Sequence, residues 1–109
     1  MNARVLREEA ERARAEAESL ERLVAHKSDK ASGLDSYGAP DKAEIERREA
    51  QQLQESAEEY RQKAAGLDAE AEAVHRRADE LKAQEDQVRQ EYEAKLKSIA
   101  DERHSLLGE

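Results

Sequence analysis

The sequence predicts an all-α protein, an antiparallel helical hairpin of the coiled-coil type in which the second helix is much the longer. The first observation behind this prediction is an alanine at every seventh residue, at Ala43, Ala50, Ala57, Ala64, Ala71 and Ala78. The other apolar position of the same repeat holds Leu53, Tyr60, Leu67, Val74 and Leu81. This spacing is typical of the a and d positions of a heptad, the surface by which one helix packs against another. The second observation is that three of the five Gly and Pro residues lie within residues 32–41, which indicates one loop.

Composition decides between a folded chain and a disordered one. Leu, Ile, Val and Phe number 16 of 109 residues and the formal net charge is -8, a combination that by itself favours disorder. Ala, Glu, Lys, Leu and Arg number 69, however, and such a composition with a 3.5-residue period is typical of coiled coils. Because the chain has no Phe or Trp, we expect residues 1–109 to form a single helical domain with a narrow apolar seam.

The same composition argues against several classes of protein. The chain has no cysteine, so it predicts neither a disulfide framework nor a thiolate site. Charged residues interrupt the first 17 positions, so no cleavable signal peptide is visible, and no apolar run has the length of about 18 residues that a membrane span needs. We therefore expect a cytoplasmic protein that binds no membrane. The excess of acidic residues argues against a nucleic-acid partner, whose phosphates would be repelled.

The first helix is predicted over about residues 3–30, where small and large apolar residues recur at spacings of three and four. Lys27 and Lys30 favour the negative end of the helix dipole, and Gly33 can adopt the left-handed conformation that ends a helix. We expect a loop over about residues 31–41, with Leu34 and Tyr37 packed over the end of the hairpin.

The second helix is predicted over about residues 42–107. Asp41 can cap its first amides, and Glu44 lies three residues later, as in a capping box. Gly66 is the weak point of this helix, but it falls on the solvent side of the heptad and the repeat continues through it without a change of phase. The alternative is a three-helix bundle broken near Gly66, which would need a wider apolar stripe than the a and d positions supply.

The hairpin seam is the set of residues by which the two helices are expected to pack on each other. Its members are Leu6, Ala10, Ala13, Ala17, Leu20, Val24, Ala50, Leu53, Ala57, Tyr60, Ala64 and Leu67. A turn centred near residue 36 would make the numbers of facing residues add to about 72 in an antiparallel hairpin. This register predicts opposite-charge pairs between Arg7 and Asp68, between Glu9 and Lys63, and between Glu21 and Arg47.

The predicted helices differ in length, so about 35 residues of the second helix, from 72 to 107, have no partner in the first. This segment carries its own seam, which we call the C-terminal face. Its members are Val74, Ala78, Leu81, Glu85, Val88, Tyr92, Leu96, Ile99 and Leu106. We expect it to pair with a second copy, antiparallel about a twofold axis, in a homodimer that forms a rod or a four-helix-type bundle.

The C-terminal face contains an irregularity in its repeat. Glu85 occupies an a position and Lys95 a d position, while Leu96 lies one residue late, which makes a stutter. One interpretation is an adjustment of register at the centre of the dimer. The other is a docking site for a different helical protein, because charges in a seam weaken self-pairing and can specify a partner.

Few pairs of residues have the spacing of a metal site or a catalytic site. Glu72 and His75, like Asp101 and His104, are three residues apart, the spacing found in di-iron bundles, but Glu72 and His75 fall on the flank of the heptad. We therefore expect no catalytic residue, metal site, cofactor or small-molecule substrate. The sequence predicts a non-enzymatic coiled-coil interaction module, a self-associating scaffold or spacer. The alternative is a small helical chaperone or adaptor that binds a helical client through residues 72–107.

Overall fold

The computed structural model describes residues 2–109 and consists of two α-helices, α1 (Ala3–Ser36) and α2 (Pro40–Leu107). The predicted all-α helical hairpin with a long second helix is confirmed. Helix α2 continues without a break through Gly66, so the alternative of a three-helix bundle is wrong. The chain is divided into two compact units. The first unit extends to Glu72, and the second is Ala73–Glu109.

Helix α1 begins with a side-chain cap that the sequence prediction did not identify. Asn2 has an extended backbone, and its Oδ1 accepts a hydrogen bond of 2.9 Å from the backbone N–H of Val5. This bond satisfies one of the amides that the first turn leaves unpaired. A cap of this kind typically contributes about 1 kcal/mol to the stability of the helix.

Helix α1 ends six residues later than predicted. Gly33 is helical, and the residue that leaves the helix is Gly38, with a φ of 73°. The N–H of Ala39 donates to the carbonyl of Leu34 at 2.9 Å, and the N–H of Gly38 donates to the carbonyl of Asp35 at 3.1 Å. These two bonds make a Schellman motif, in which glycine is favoured because it adopts a positive φ without steric cost.

The connection between the helices is therefore three residues, Tyr37 to Ala39, and not a loop over 31–41. Tyr37 is 90% exposed, so the expectation that it packs over the end of the hairpin is wrong. The carbonyl of Ala39 accepts the first helical bond of α2, from the N–H of Ala43 at 3.1 Å. Pro40 thus occupies the first helical position, where its missing N–H costs nothing, and Asp41 lies in the first turn instead of capping it.

Helix α2 ends with the same motif as α1. Gly108 has a φ of 74°, and its N–H donates to the carbonyl of Ser105 at 3.2 Å. The N–H of Glu109 donates to the carbonyl of His104 at 2.9 Å. The C-terminal ends of α1 and α2 are thus each specified by a glycine that follows the last helical turn.

The core of the first unit is a ridge of alanines. The buried residues are Leu6, Ala10, Ala13, Ala17 and Ala31 on α1 and Ala43, Ala50, Ala57, Ala64 and Ala71 on α2. Because alanine carries a single side-chain carbon, alanines facing each other let the helix axes approach to the lower end of the usual range of about 8–10 Å. The interior of the first unit is therefore lined mainly by alanines, with larger side chains along its edges.

Candidate interaction surface

The hairpin seam in the first unit is most tightly packed at its alanines. Ala10, Ala13 and Ala64 form a buried cluster, against which Leu67 packs. The predicted members Leu6, Ala17, Ala50 and Ala57 are also buried, whereas Leu20, Val24, Leu53 and Leu67 are half-buried and Tyr60 is exposed. The small a residues of α2 thus form the interior and its large d residues form the border.

The register of the hairpin differs from the predicted one. Along one edge, three ion pairs join the two helices, Arg14 to Asp68 at 2.6 Å, Arg61 to Glu21 at 2.5 Å, and Arg47 to Asp35. The residue numbers of each pair add to 82, which identifies one edge of an antiparallel hairpin. The predicted pairs of Asp68 with Arg7 and of Glu21 with Arg47 are therefore wrong. In the observed register Arg14 and Arg61 each have a carboxylate of their own on the facing helix.

The other edge of the hairpin carries a cluster of two lysines and two glutamates. Lys27 Nζ donates to Glu46 Oε2 at 3.1 Å and to Glu49 Oε2 at 2.5 Å, and Lys30 Nζ lies 3.1 Å from Glu46 Oε1. The side chains of Lys27 and Glu46 are only 26% and 12% exposed. Glu46 therefore shares its two oxygens between two ammonium groups on the facing helix.

Hydrogen bonding within this cluster shifts the pKa of both central groups toward their charged forms. The bonds from Lys27 and then from Lys30 lower the pKa of Glu46 below its ordinary value of 4.5. The bonds to Glu49 and then to Glu46 raise the pKa of Lys27 above its ordinary value of 10.5. The contact between Lys27 and Glu46 is thus ionic over the whole range between these two values.

Sequence reasoning missed the role of Lys27, although its signal was present. Lys27 lies three residues after Val24 and four residues before Ala31, and Leu34 lies three residues after Ala31. The seam of α1 therefore continues through a lysine to the end of the helix. The sequence prediction interpreted Lys27 as a partner of the helix dipole near a helix end at about residue 30, so this continuation of the seam was not recognised.

The C-terminal face lies within the second unit and is exposed along its whole length. All nine of its members are exposed, and among its large apolar side chains the exposed fraction runs from 38% for Val74 to 82% for Leu106. The spacings of three and four residues place these side chains on one side of α2. A contiguous apolar stripe in contact with water is typical of a site that binds another protein.

The N-terminal part of the C-terminal face forms a shallow apolar hollow. It is lined by Ala73, Val74, Arg77, Ala78 and Leu81. The small side chain of Ala78 lies between the larger Val74 and Leu81, which is the arrangement that receives a large residue of a partner helix. The arginine places its charge at the border of the hollow, where its head group reaches Glu80 at 3.2 Å.

Glu85 and Lys95, two charged residues that fall at seam positions in the second unit, are exposed as well. Glu85 Oε1 accepts a hydrogen bond of 2.9 Å from Arg89 Nη2, and Arg89 Nη1 also lies 3.5 Å from Asp86 Oδ1. Lys95 lies on the same side of the helix ten residues later. A seam that holds one negative and one positive residue can distinguish between the registers of a partner helix.

The described residues, 2–109, contain no group of three or more His, Cys, Asp or Glu side chains placed to hold a metal ion. Glu72 and His75 are exposed, and His104 Nδ1 lies 2.9 Å from Glu109 Oε2. Over the same residues, neither helix has a segment apolar enough to cross a bilayer.

Comparison with known proteins leaves the surface to be interpreted from its own chemistry. No protein-family model, curated protein or solved structure matches the chain. The exposed side chains of the C-terminal face, their spacing and their charge are therefore the features that bear on function.

Proposed function

We propose that this protein is a non-enzymatic coiled-coil interaction module that self-associates through the C-terminal face and serves as a structural scaffold or spacer. The observation that carries the proposal is the exposure of large apolar side chains at heptad spacing between Val74 and Leu106. Fully burying one such side chain contributes about 1.5–3 kcal/mol. A second copy of α2 is the simplest partner, because it offers the same stripe with the same spacing.

The charges in the C-terminal face favour an antiparallel dimer over a parallel one. In a parallel pair in register, Glu85 would face its own copy and so would Lys95, which places like charges opposite each other in the seam. Like charges opposite each other are destabilising. In an antiparallel pair neither residue faces its own copy.

A pair of single-charge substitutions tests the proposal. Val88→Glu places a carboxylate in the C-terminal face, whereas Gln90→Glu places the same charge two residues away on the outer side of the helix. Light scattering coupled to size-exclusion chromatography should find a dimer for the unmodified chain and for Gln90→Glu, and a monomer for Val88→Glu at the same concentration. If Val88→Glu dimerises as well as the unmodified chain, the C-terminal face is not the interface.

A second candidate function is a small helical chaperone or adaptor that binds a helical client through residues 72–107. The observation in its favour is the presence of Glu85 and Lys95 within the apolar stripe, since seam charges lower the stability of self-pairing unless they are matched. This function predicts a chain that stays monomeric at high concentration and keeps its C-terminal face open. Sedimentation equilibrium over a hundredfold range of concentration separates the two functions.

A further inference from the structure

We propose that the homodimer has one antiparallel register, with its twofold axis at the level of Gln90, in which Glu85 of each copy faces Lys95 of the other. This inference rests on the proposed self-association through the C-terminal face and adds the arrangement of the partner. It follows from how the apolar and charged positions of α2 are distributed on either side of residue 90.

The numbering of the C-terminal face is symmetric about this point. In an antiparallel coiled coil, a positions face d positions of the partner, and the numbers of facing residues add to a constant. A constant of 180 satisfies the a-to-d rule throughout the segment. It produces the facing pairs Val74 with Leu106, Leu81 with Ile99, Glu85 with Lys95, and Val88 with Tyr92. Three pairs are apolar with apolar, and the fourth joins the two opposite charges.

The neighbouring registers lose this match. A shift of one heptad in one direction, to a constant of 187, places Glu85 opposite Glu102 and Lys95 opposite Tyr92. The shift in the other direction, to 173, places Glu85 opposite Val88 and Lys95 opposite Ala78. Each alternative leaves both seam charges without an opposite charge across the interface, which is costly wherever they are desolvated. The register of 180 has two polar mismatches, Ala78 with Glu102 near the outer end of the paired segment and Leu96 with Gln84 at the irregularity of the repeat.

The contacts of Glu85 extend the charge pattern across the axis. Arg89 already donates to Glu85 at 2.9 Å and lies 3.5 Å from Asp86. Adding Lys95 of the second copy gives Glu85 a cation on each side, so positive and negative groups alternate through the centre of the dimer. The two copies of Arg89 approach each other at the edge of the axis, where the carboxylates of Glu85 and Asp86 offset their repulsion.

Disulfide trapping tests the register, and the absence of native cysteine gives it a clean background. In the double variant Leu81→Cys/Ile99→Cys, the two thiols are about 27 Å apart on one helix, too far to bond within a chain. In the proposed register each lies opposite its counterpart in the other copy, so mild oxidation should give a covalent dimer on a non-reducing gel. The single variant Leu81→Cys should stay uncrosslinked. Crosslinking of that single variant would indicate parallel pairing and would overturn the register.

Charge reversal supplies the second arm of the test. Glu85→Lys and Lys95→Glu should each raise the dimer dissociation constant about tenfold or more, because each places like charges opposite each other twice. An equimolar mixture of the two variants should form a heterodimer about as tight as the unmodified dimer, since the opposite charges then meet again. A dimeric unmodified chain that fails to crosslink as Leu81→Cys/Ile99→Cys overturns the register alone. A monomeric unmodified chain overturns both the register and the proposed function.

Discussion

Replacing Ala64 with leucine tests whether close packing of alanines holds the hairpin together. Ala64 is 2% exposed and packs with Ala10 and Ala13 of α1, which have no long side chain that could turn aside. Leucine adds three carbon atoms at this point, and the structure can accommodate them only by separating the helices or straining the new side chain. Overpacking of this kind costs about 1–3 kcal/mol.

The effect should be visible in thermal unfolding followed by circular dichroism. For a domain of this size, each kcal/mol lowers the melting temperature by about 4–8 °C. The matched control is Ala65→Leu, the same substitution at the next residue, which is exposed. Because leucine and alanine have similar helix propensities, the control should change stability by only a few tenths of a kcal/mol. All chains must be compared at one protein concentration, since self-association raises the melting temperature.

Two results would refute the reasoning. An unchanged or higher melting temperature for Ala64→Leu would mean that the seam has room for a large side chain and that close alanine contact does not determine the packing. An equal loss for Ala64→Leu and Ala65→Leu would mean that the substitution acts on the helix itself and not on the interface between helices.

Glycine and the ionic cluster provide the remaining predictions. Gly38→Ala should destabilise the hairpin by about 1–2 kcal/mol in urea unfolding, because its φ of 73° is unfavourable for any residue with a Cβ. Gly66→Ala should instead stabilise it by up to about 1 kcal/mol, because Gly66 is helical and a Cβ there meets no atom within 4 Å. Glu46→Gln should lower the melting temperature at pH 7. Because the pKa of Glu46 is lowered, its contact stabilises the hairpin above pH 4.5 and is lost when the carboxylate is protonated. The difference in melting temperature between Glu46→Gln and the unmodified chain should therefore shrink as the pH falls below 4.5. The contact between Glu46 and Lys27 should also weaken as the pH rises above 10.5 and the ammonium group of Lys27, whose pKa is raised, loses its proton. If the melting temperatures of Glu46→Gln and the unmodified chain differ by the same amount at every pH, the contact is excluded.

The sequence was sufficient for the fold class and for the extent of α2. Alanine at every seventh residue is a strong signal because few structures other than a packed helix need a small residue at that period. The prediction that α2 continues through Gly66 was correct, since Gly66 lies on the exposed side of α2, where a glycine weakens a helix without breaking it. The predicted and observed bounds of α2 differ by two residues at its start and not at its end.

The end of α1 and the register were not predictable in the same way. Gly33 and Gly38 are both plausible helix-ending residues, and only the hydrogen bonds of Ala39 and Gly38 to the last turn of α1 identify the second as the one used. Lys27 concealed the continuation of the seam, because a lysine at a core spacing is acceptable only when carboxylates such as those of Glu46 and Glu49 face it. A turn displaced by a few residues then shifts every ion pair between the helices.

The apolar spacing of the C-terminal face can be recognised in the sequence because it is local to one helix. Spacing alone places Val74, Leu81 and Val88 on one side of α2, and the structure leaves them exposed; that they bind a partner stays a prediction. The identity of that partner depends on a second chain. The symmetry of the charged residues about Gln90 is the part of the sequence that bears on this question, because it concerns how the face matches a copy of itself.

The mass of the unmodified chain in solution tests the central claim most directly. Sedimentation equilibrium over a hundredfold range of concentration should give twice the chain mass of 12.3 kDa at the upper end, with dissociation toward the monomer on dilution. A mass of 12.3 kDa that persists at the highest concentration would contradict self-association through the C-terminal face and would favour an adaptor that keeps this face for another helical protein.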